Sequence, residues 1–211
     1  MIMMSNILVA YFSATGKTAK LAEKLAASIG ADIYEIKPEM KYTKADLNWM
    51  NRKSRSSVEM NSKSFRPAII TGDVDVSTYD TIYLGFPIWW YVAPTVINTF
   101  LETYDFTGKK IVLFATSGSS GFGNTVAELR PSAPGAEIVE AKVLSGIITE
   151  AKIRALIDNI YLFVPHHCKP YTEFTRTLNP LLKPAQRHGT IPAAGRTVAR
   201  WRRRTTQRGR P

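Results

Sequence analysis

Apolar positions along the first 160 residues fall into short continuous runs that alternate with helical periodicity. Asn6-Ile-Leu-Val-Ala-Tyr-Phe12 is a continuous apolar run that stops at Ser13 and Gly16. A run of that length bounded by turn residues predicts a buried strand and a turn. From Thr18 to Ile29, the residues Ala19, Leu21, Ala22, Leu25, Ala26 and Ile29 recur at helical spacing, and Gly30 follows as a stop. Further strands are expected at Asp32–Ile36, Thr81–Phe86, Lys110–Thr116 and Glu137–Leu144. Further helices are expected at Pro94–Tyr104, Asn124–Arg130 and Thr149–Asn159. Pro94 suits a first helical turn, and Thr149 suits an N-cap, with Ile153, Leu156, Ile157 and Ile160 facing inward. Strands apolar on both faces, alternating with helices, predict a parallel sheet covered on both sides. Right-handed crossovers make it doubly wound. The expected fold class is therefore α/β, with five parallel strands.

Two stretches break this rhythm. Thr81 to Leu101 carries no charge and is long enough to raise the question of a membrane span. Gly85, Pro87, Pro94 and Asn98 interrupt it, so a strand, a loop and a helix explain it better and no membrane span is expected. The polar insertion 38–66 is too long for a simple connection, and such loops are commonly functional or disordered. Trp49 and Met60 within it predict that it packs on something.

Ligands of a doubly wound sheet bind beyond the carboxyl ends of its strands. Three loops occupy that end here. The first, Ser13-Ala-Thr-Gly-Lys-Thr18, offers hydroxyls, a glycine and free N–H groups at a helix start, which is an anion site by geometry and helix dipole. A Walker A reading of Gly16-Lys-Thr is disfavoured, because Tyr11 stands where that motif needs its first glycine. A Gly-x-Gly-x-x-Gly fingerprint is also missing from this loop. The second loop, Pro87-Ile-Trp-Trp-Tyr-Val-Ala-Pro94, holds three consecutive aromatics that cannot all point into one core, and an indole suits stacking on a planar heterocycle. The third, Thr116-Ser-Gly-Ser-Ser-Gly-Phe-Gly-Asn124, has three glycines that let backbone approach a ligand. Each loop also has a plain reading: a capped helix start, a core tryptophan, a surface loop. Together they describe a site for a phosphorylated planar cofactor.

These residues resemble a known family. Ser13-Ala-Thr-Gly-Lys-Thr18 is similar to the flavodoxin phosphate signature. Phe86–Pro94 and Phe114–Gly123 resemble the two isoalloxazine loops of a bacterial flavodoxin-like subfamily, and the insertion around Tyr42…Trp49 and Ser54–Met60 is similar to it as well. The resemblance covers about residues 5–160. It implies a five-stranded flavodoxin fold with non-covalent FMN. Ser13, Ala14, Thr15, Gly16, Lys17 and Thr18 would hold the phosphate. Pro87, Ile88, Trp89 and Trp90 would line one side of the flavin, and Thr116, Ser117, Gly118, Gly121, Phe122 and Gly123 the other. Lys17 replaces a common Asn, and a cation beside a phosphate is favourable.

Composition changes the picture at one point. The chain has 211 residues, 45% hydrophobic and 21% charged, which excludes a wholly disordered protein. Formal net charge is +11, a value that by itself suggests nucleic acid. Residues 1–160 nevertheless hold 17 Lys+Arg against 16 Asp+Glu, while residues 161–211 hold 11 against the single Glu173. The basic character belongs to the tail, together with His166, His167, His188, Cys168 and Arg202-Arg-Arg204. We read two regions: a flavodoxin-like FMN-binding domain at 1–160 and a basic tail at 161–211. Composition marks the tail as disordered, and its abrupt change also suits a non-native, frameshifted or read-through end. Arg202–Arg204 with Trp201 could bind phosphate backbones or an anionic membrane surface, but nucleic acid is not the expected partner. His166-His-Cys168 lacks the spacing of known metal sites, and no metal is expected. One cysteine fits a reducing compartment, and the first residues lack a basic n-region, so a cytoplasmic protein without secretory leader is expected.

Two function classes follow from an FMN site. An electron carrier would pass electrons between protein partners. An FMN-dependent oxidoreductase would take hydride from a nicotinamide and reduce a quinone or similar acceptor. The cofactor performs the redox chemistry in both, and the protein sets potential and access. No residue stands out as a general acid or base, which favours the carrier. Low-potential flavodoxins are strongly acidic, whereas this body is near neutral and the loops 87–94 and 116–124 contain no Asp or Glu. That favours the enzyme, predicts a less negative potential, and leaves no evident acidic docking face for a basic partner.

Overall fold

The pleat of the first strand divides the core in two. The protein is described by a computed structural model over residues 6–72, 74–145 and 149–161. The first five residues and the tail beyond Tyr161, with its histidines, Cys168 and the arginine run, lie outside the described residues. The chain runs β1 (Ile7–Tyr11), α1 (Lys17–Ile29), β2 (Asp32–Glu35), β3 (Lys37–Pro38), α2 (Arg55–Asn61), β4 (Ile69–Ile70), β5 (Thr81–Pro87), α3 (Thr95–Thr103), β6 (Lys110–Ser117), α4 (Thr125–Leu129), β7 (Glu137–Ser145) and α5 (Glu150–Tyr161).

Five of these strands form one parallel sheet in the order β2-β1-β5-β6-β7. Successive side chains point to opposite faces. Leu8, Ala10, Ile82, Leu84, Phe86, Ile111, Leu113 and Ala115 therefore enter one core, which α3 covers with Val96, Ile97, Phe100 and Leu101. Ile7, Val9, Tyr11, Tyr83, Val112 and Phe114 enter the other, covered by Leu21, Ala22 and Leu25 of α1 and by Ile153 and Leu156 of α5. Each large aliphatic or aromatic side chain so buried contributes roughly 1.5–3 kcal/mol. Gly85 sits in this second core for a steric reason: a Cβ there would lie 2.2 Å from Cζ of Phe114.

The expected α/β architecture stands, with two refinements. Burial on both faces holds for the inner strands β1, β5 and β6, but β2 is an edge strand in which only Tyr34 is buried. The other edge strand, β7, carries a bulge: Leu113 pairs with Glu140 and Phe114 with Lys142, so Ala141 is the extra residue. The inward side chains expected of Ile157 and Ile160 lie outside the described residues. No helix among the described residues is long and apolar enough to cross a membrane. The uncharged stretch 81–101 becomes β5, a loop and most of α3.

The insertion is ordered and closed at its base. β3 and β4 pair antiparallel, Lys37 with Ile70 and Pro38 with Ile69. Inside it, Ser54 caps α2, its Oγ accepting from the N–H of Ser57 at 3.4 Å. The packing expected of Trp49 is not observed, since that ring is 72% exposed. The insertion is anchored instead by Ser56, Ser57 and Glu59, all buried, and by Tyr42.

Candidate functional site at the carboxyl end of the sheet

β1, β5 and β6 are adjacent and parallel, so the loops that leave their carboxyl ends are neighbours by construction. Hydrogen bonds then join them. Thr18 and Thr116 share a buried bond between their hydroxyls at 2.8 Å. The N–H of Ile88 donates to the carbonyl of Thr116 at 2.8 Å. Gly123, at φ +53°, lies so close to Tyr91 that a Cβ there would be 2.3 Å from its carbonyl oxygen. Only glycine combines that left-handed backbone with that approach.

The first loop has the features of an anion cradle. Gly16 turns the chain at φ +79° into α1, and a Cβ built on it meets no atom within 4 Å. The N–H of Lys20 is the first to bond back, to the Gly16 carbonyl at 3.2 Å. The preceding N–H groups are those a helix start leaves without intrahelical partners. No acidic residue stands in that first turn, and Lys17 is exposed beside it. Ser13 supplies a further signal, because its Oγ is buried and finds no hydrogen-bond partner among the described residues. Native structures rarely leave such an atom unsatisfied, which singles out Ser13 within this loop. Thr15 is exposed at the rim, and Ala14 packs against the core.

The second loop folds as a tight turn. Trp89 and Val92 exchange two N–H···O bonds, both 3.0 Å. Trp90 and Tyr91 between them have φ +45° and +69°, the geometry of a type I′ turn. Bulky residues in that region carry roughly 1–3 kcal/mol of strain each. The turn separates the aromatics by role. Trp89 is partly buried, edge-on to Phe12 (5.7 Å) and to Tyr42 (5.2 Å). Trp90 is 39% and Tyr91 71% exposed. Pro87 and Ile88 are half-buried behind them.

In the third loop, Gly118 and Gly121 are exposed, with open space where a Cβ would stand. The Ser117 hydroxyl accepts from the N–H of Ser120 at 2.8 Å, which rounds the loop. Phe122 is buried, tilted against Phe86 at 6.3 Å, and anchors the loop to the core. The three loops thus bring most of the expected residues together, while Phe122 and Ala14 sit behind the surface.

The sequence reading missed the support beneath Trp89. Tyr42, from the insertion, packs on Phe12 (5.7 Å) as well as on Trp89. Its hydroxyl donates to Oε2 of buried Glu59, whose Oε1 accepts from Nε of Arg55 at 2.6 Å. The Arg55 guanidinium lies 4.1 Å above the Tyr42 ring. Burial, and after it the hydrogen bond to Glu59, raises the Tyr42 phenol pKa above its ordinary value, so the ring stays neutral. Arg55 and Glu59 at i, i+4 on a short helix were the available signal, but that spacing also describes any solvated helix face.

Comparison with known proteins follows this geometry. The flavodoxin family model matches residues 6–160. No curated protein matches the chain. A candidate flavoprotein from Bacteroides eggerthii, in its crystal structure, is 50% identical, with a TM-score of 0.67, over 74% of this chain and 97% of its own. A second, from Bacteroides uniformis, is 45% identical, with a TM-score of 0.68, over 74% and 98%. A Lactobacillus acidophilus flavoprotein, crystallised in complex with FMN, shares the fold at 24% identity and a TM-score of 0.53, over 65% and 91%. The family match spans well over half the chain and ends with α5, and within it lie all three loops described above: this protein belongs to the flavodoxin family, whose cofactor is FMN.

Proposed function

We propose that the joined loops hold FMN and that the protein carries electrons to and from a protein partner. Ser13, Thr15, Gly16, Lys17 and Thr18 would bind the phosphate, through the unpaired Ser13 hydroxyl and the N–H groups of the helix start. The turn at 87–91 and the glycine loop at 116–123 would flank the ring. Bound FMN supplies reversible redox chemistry, and this chain's residues orient it, exclude water from one side and set its potential.

The observation that carries the electron-carrier reading is the exposed Trp90–Tyr91 turn. It presents two rings at the flavin end in a strained backbone, on a surface where a partner can dock. The site loops also contribute no carboxylate, histidine or cysteine for proton transfer. A second reading, an oxidoreductase using a nicotinamide and a quinone-type acceptor, is favoured by those same acid-free loops, which predict a less negative potential than that of acidic flavodoxins.

Stepwise photoreduction of the FMN-loaded protein separates the two. Accumulation of one-electron-reduced flavin supports the carrier. Direct passage to the two-electron form, with turnover of NAD(P)H and a quinone, supports the enzyme. If the purified protein neither contains nor binds FMN, both readings fail.

A further inference from the structure

The insertion carries two sets of cations. Those of α2 and the segment after it have carboxylate partners: Arg55 bonds Glu59 at 2.6 Å, Lys63 bonds Glu128 at 2.9 Å and Arg66 bonds Glu102 at 2.8 Å. Those between residues 40 and 54 do not. Lys41, Lys44, Arg52 and Lys53 are exposed, and none forms an ion pair among the described residues. The one acid of that stretch, Asp46, accepts from the N–H and the hydroxyl of Thr43 at 2.8 and 2.7 Å. The same stretch exposes Met40 (70%), Trp49 (72%) and Met50 (75%). Tryptophan, methionine and arginine are the residue types enriched where proteins meet.

This surface is fixed in place and adjoins the flavin end. The N–H groups of Leu47, Asn48, Asn51 and Ser54 donate to the carbonyls of Thr43, Ala45, Asn48 and Asn51 at 3.2, 3.2, 3.0 and 2.9 Å, a chain of turns. Arg55 donates to the Met40 carbonyl at 2.7 Å and the N–H of Ser56 to the Asp46 carbonyl at 3.0 Å, which folds the stretch against the start of α2. A surface ordered beforehand adds little entropic cost to docking. Tyr42, next to Lys41, is the ring that packs on Trp89 of the second loop at 5.2 Å.

We propose that the stretch 40–53 docks an acidic redox protein, with Trp49 and Met50 in the contact and Lys41, Lys44, Arg52 and Lys53 facing the partner's carboxylates. Charge complementarity of this sign steers an acidic partner and repels a basic one. It also disfavours a second copy of this chain, because a two-fold contact would set like charges against each other. The place beside the flavin loops favours a redox protein over a lipid surface or nucleic acid. The proposal takes the partner's redox character from the electron-carrier reading and its charge from the insertion alone.

The test uses the FMN-loaded full-length protein and two small haem proteins of opposite charge, an acidic soluble b-type cytochrome and a basic c-type cytochrome. Calorimetry measures binding of each oxidised probe. After photoreduction, each electron that leaves the FMN is read as one ferric haem becoming ferrous. The acidic probe should bind saturably at low ionic strength and weaken as salt rises, and the basic probe should bind at least about tenfold more weakly. Lys41→Gln, Lys44→Gln, Arg52→Gln and Lys53→Gln together should weaken the acidic probe about tenfold, the sum expected of several exposed charge pairs, with unchanged FMN content. Arg202→Gln, Arg203→Gln, Arg204→Gln and Arg208→Gln together, in the tail, should weaken it far less. Trp49→Ala should weaken it at least about fivefold at high and low salt alike, with an unchanged melting temperature. No binding of the acidic probe, equal binding by the fourfold insertion variant, or an equal loss in the tail variant would overturn the proposal. So would insertion-dependent binding to vesicles of equal phosphatidylserine and phosphatidylcholine, to single-stranded DNA or to a second copy, without binding to the acidic probe. If that probe binds as expected but no haem is reduced, the docking surface stands and the carrier reading fails. If parent and insertion variant reduce haem equally at sub-saturating concentration, the carrier reading stands and the docking surface fails.

Discussion

The hydroxyls of Thr18 and Thr116 meet at 2.8 Å across 98 residues of sequence, and both are buried. This bond ties the loop at 13–18 to the glycine loop. It can be tested by removing one hydroxyl at a time. Thr116→Val or Thr18→Val leaves the other hydroxyl buried and unpaired, at a cost of about 1–3 kcal/mol. The double variant should cost less than the sum of the singles, because it strands no group. Urea unfolding of the four proteins measures this, and FMN titration should show weaker binding in each single variant.

Gly123 and Gly121 stand two residues apart in one loop but should respond differently to alanine. At Gly123 a Cβ would collide with the Tyr91 carbonyl, and the backbone is left-handed. At Gly121 the same atom would meet open space. Gly123→Ala should destabilise by at least the roughly 1–2 kcal/mol of the left-handed conformation, and it should separate the two loops. Gly121→Ala should leave stability within about 0.5 kcal/mol of wild type. Thermal melts and FMN affinity of the two variants make the comparison.

Tyr42 supports Trp89 from the insertion by its ring and holds Glu59 by its hydroxyl. Tyr42→Phe keeps the ring contact and deprives a buried carboxylate of one donor. A loss of about 1–3 kcal/mol in urea unfolding is expected, with FMN affinity little changed. Tyr42→Ala should in addition free Trp89 and lower FMN affinity. Equal FMN binding in both variants would exclude a role for the insertion in shaping the site.

Acid should weaken the fold through Glu102. The hydrogen bonds from Arg66, followed by that from Ser132, hold its pKa below the ordinary 4.5. A carboxylate with a depressed folded-state pKa contributes stability above its unfolded pKa, and loses it as pH falls through the folded value. Stability should therefore decline from about pH 5 downward, and Glu102→Gln should flatten that decline while leaving the neutral-pH fold intact. Chemical denaturation at a series of pH values from 7 to 3 reads the slope.

Much of the fold was legible along the chain for simple reasons. The inner strands are short apolar runs because both their faces are covered, and helices α1 and α3 follow from periodicity and their glycine and proline ends. The edge strand β2 was legible in place but not in burial, since lacking a neighbour on one side leaves no mark in so short a run. The site was legible as three separate loops. What joins them was not. A threonine hydroxyl that pairs with another 98 residues away has no local signal, and the same holds for Tyr42 beneath Trp89.

Local rules thus determined which segments are strands, helices and ligand-facing loops, because period and turn chemistry act over a few residues. Tertiary structure alone decided which aromatic faces outward and which hydroxyl is left unpaired. Trp89 and Trp90 are chemically the same and adjacent, yet a left-handed turn packs one against Phe12 and leaves the other exposed. Ser13 and Thr95 look like ordinary polar residues until the fold buries their hydroxyls without a partner among the described residues. Burial and pairing are properties of three-dimensional neighbours, and those neighbours come from segments far apart in sequence.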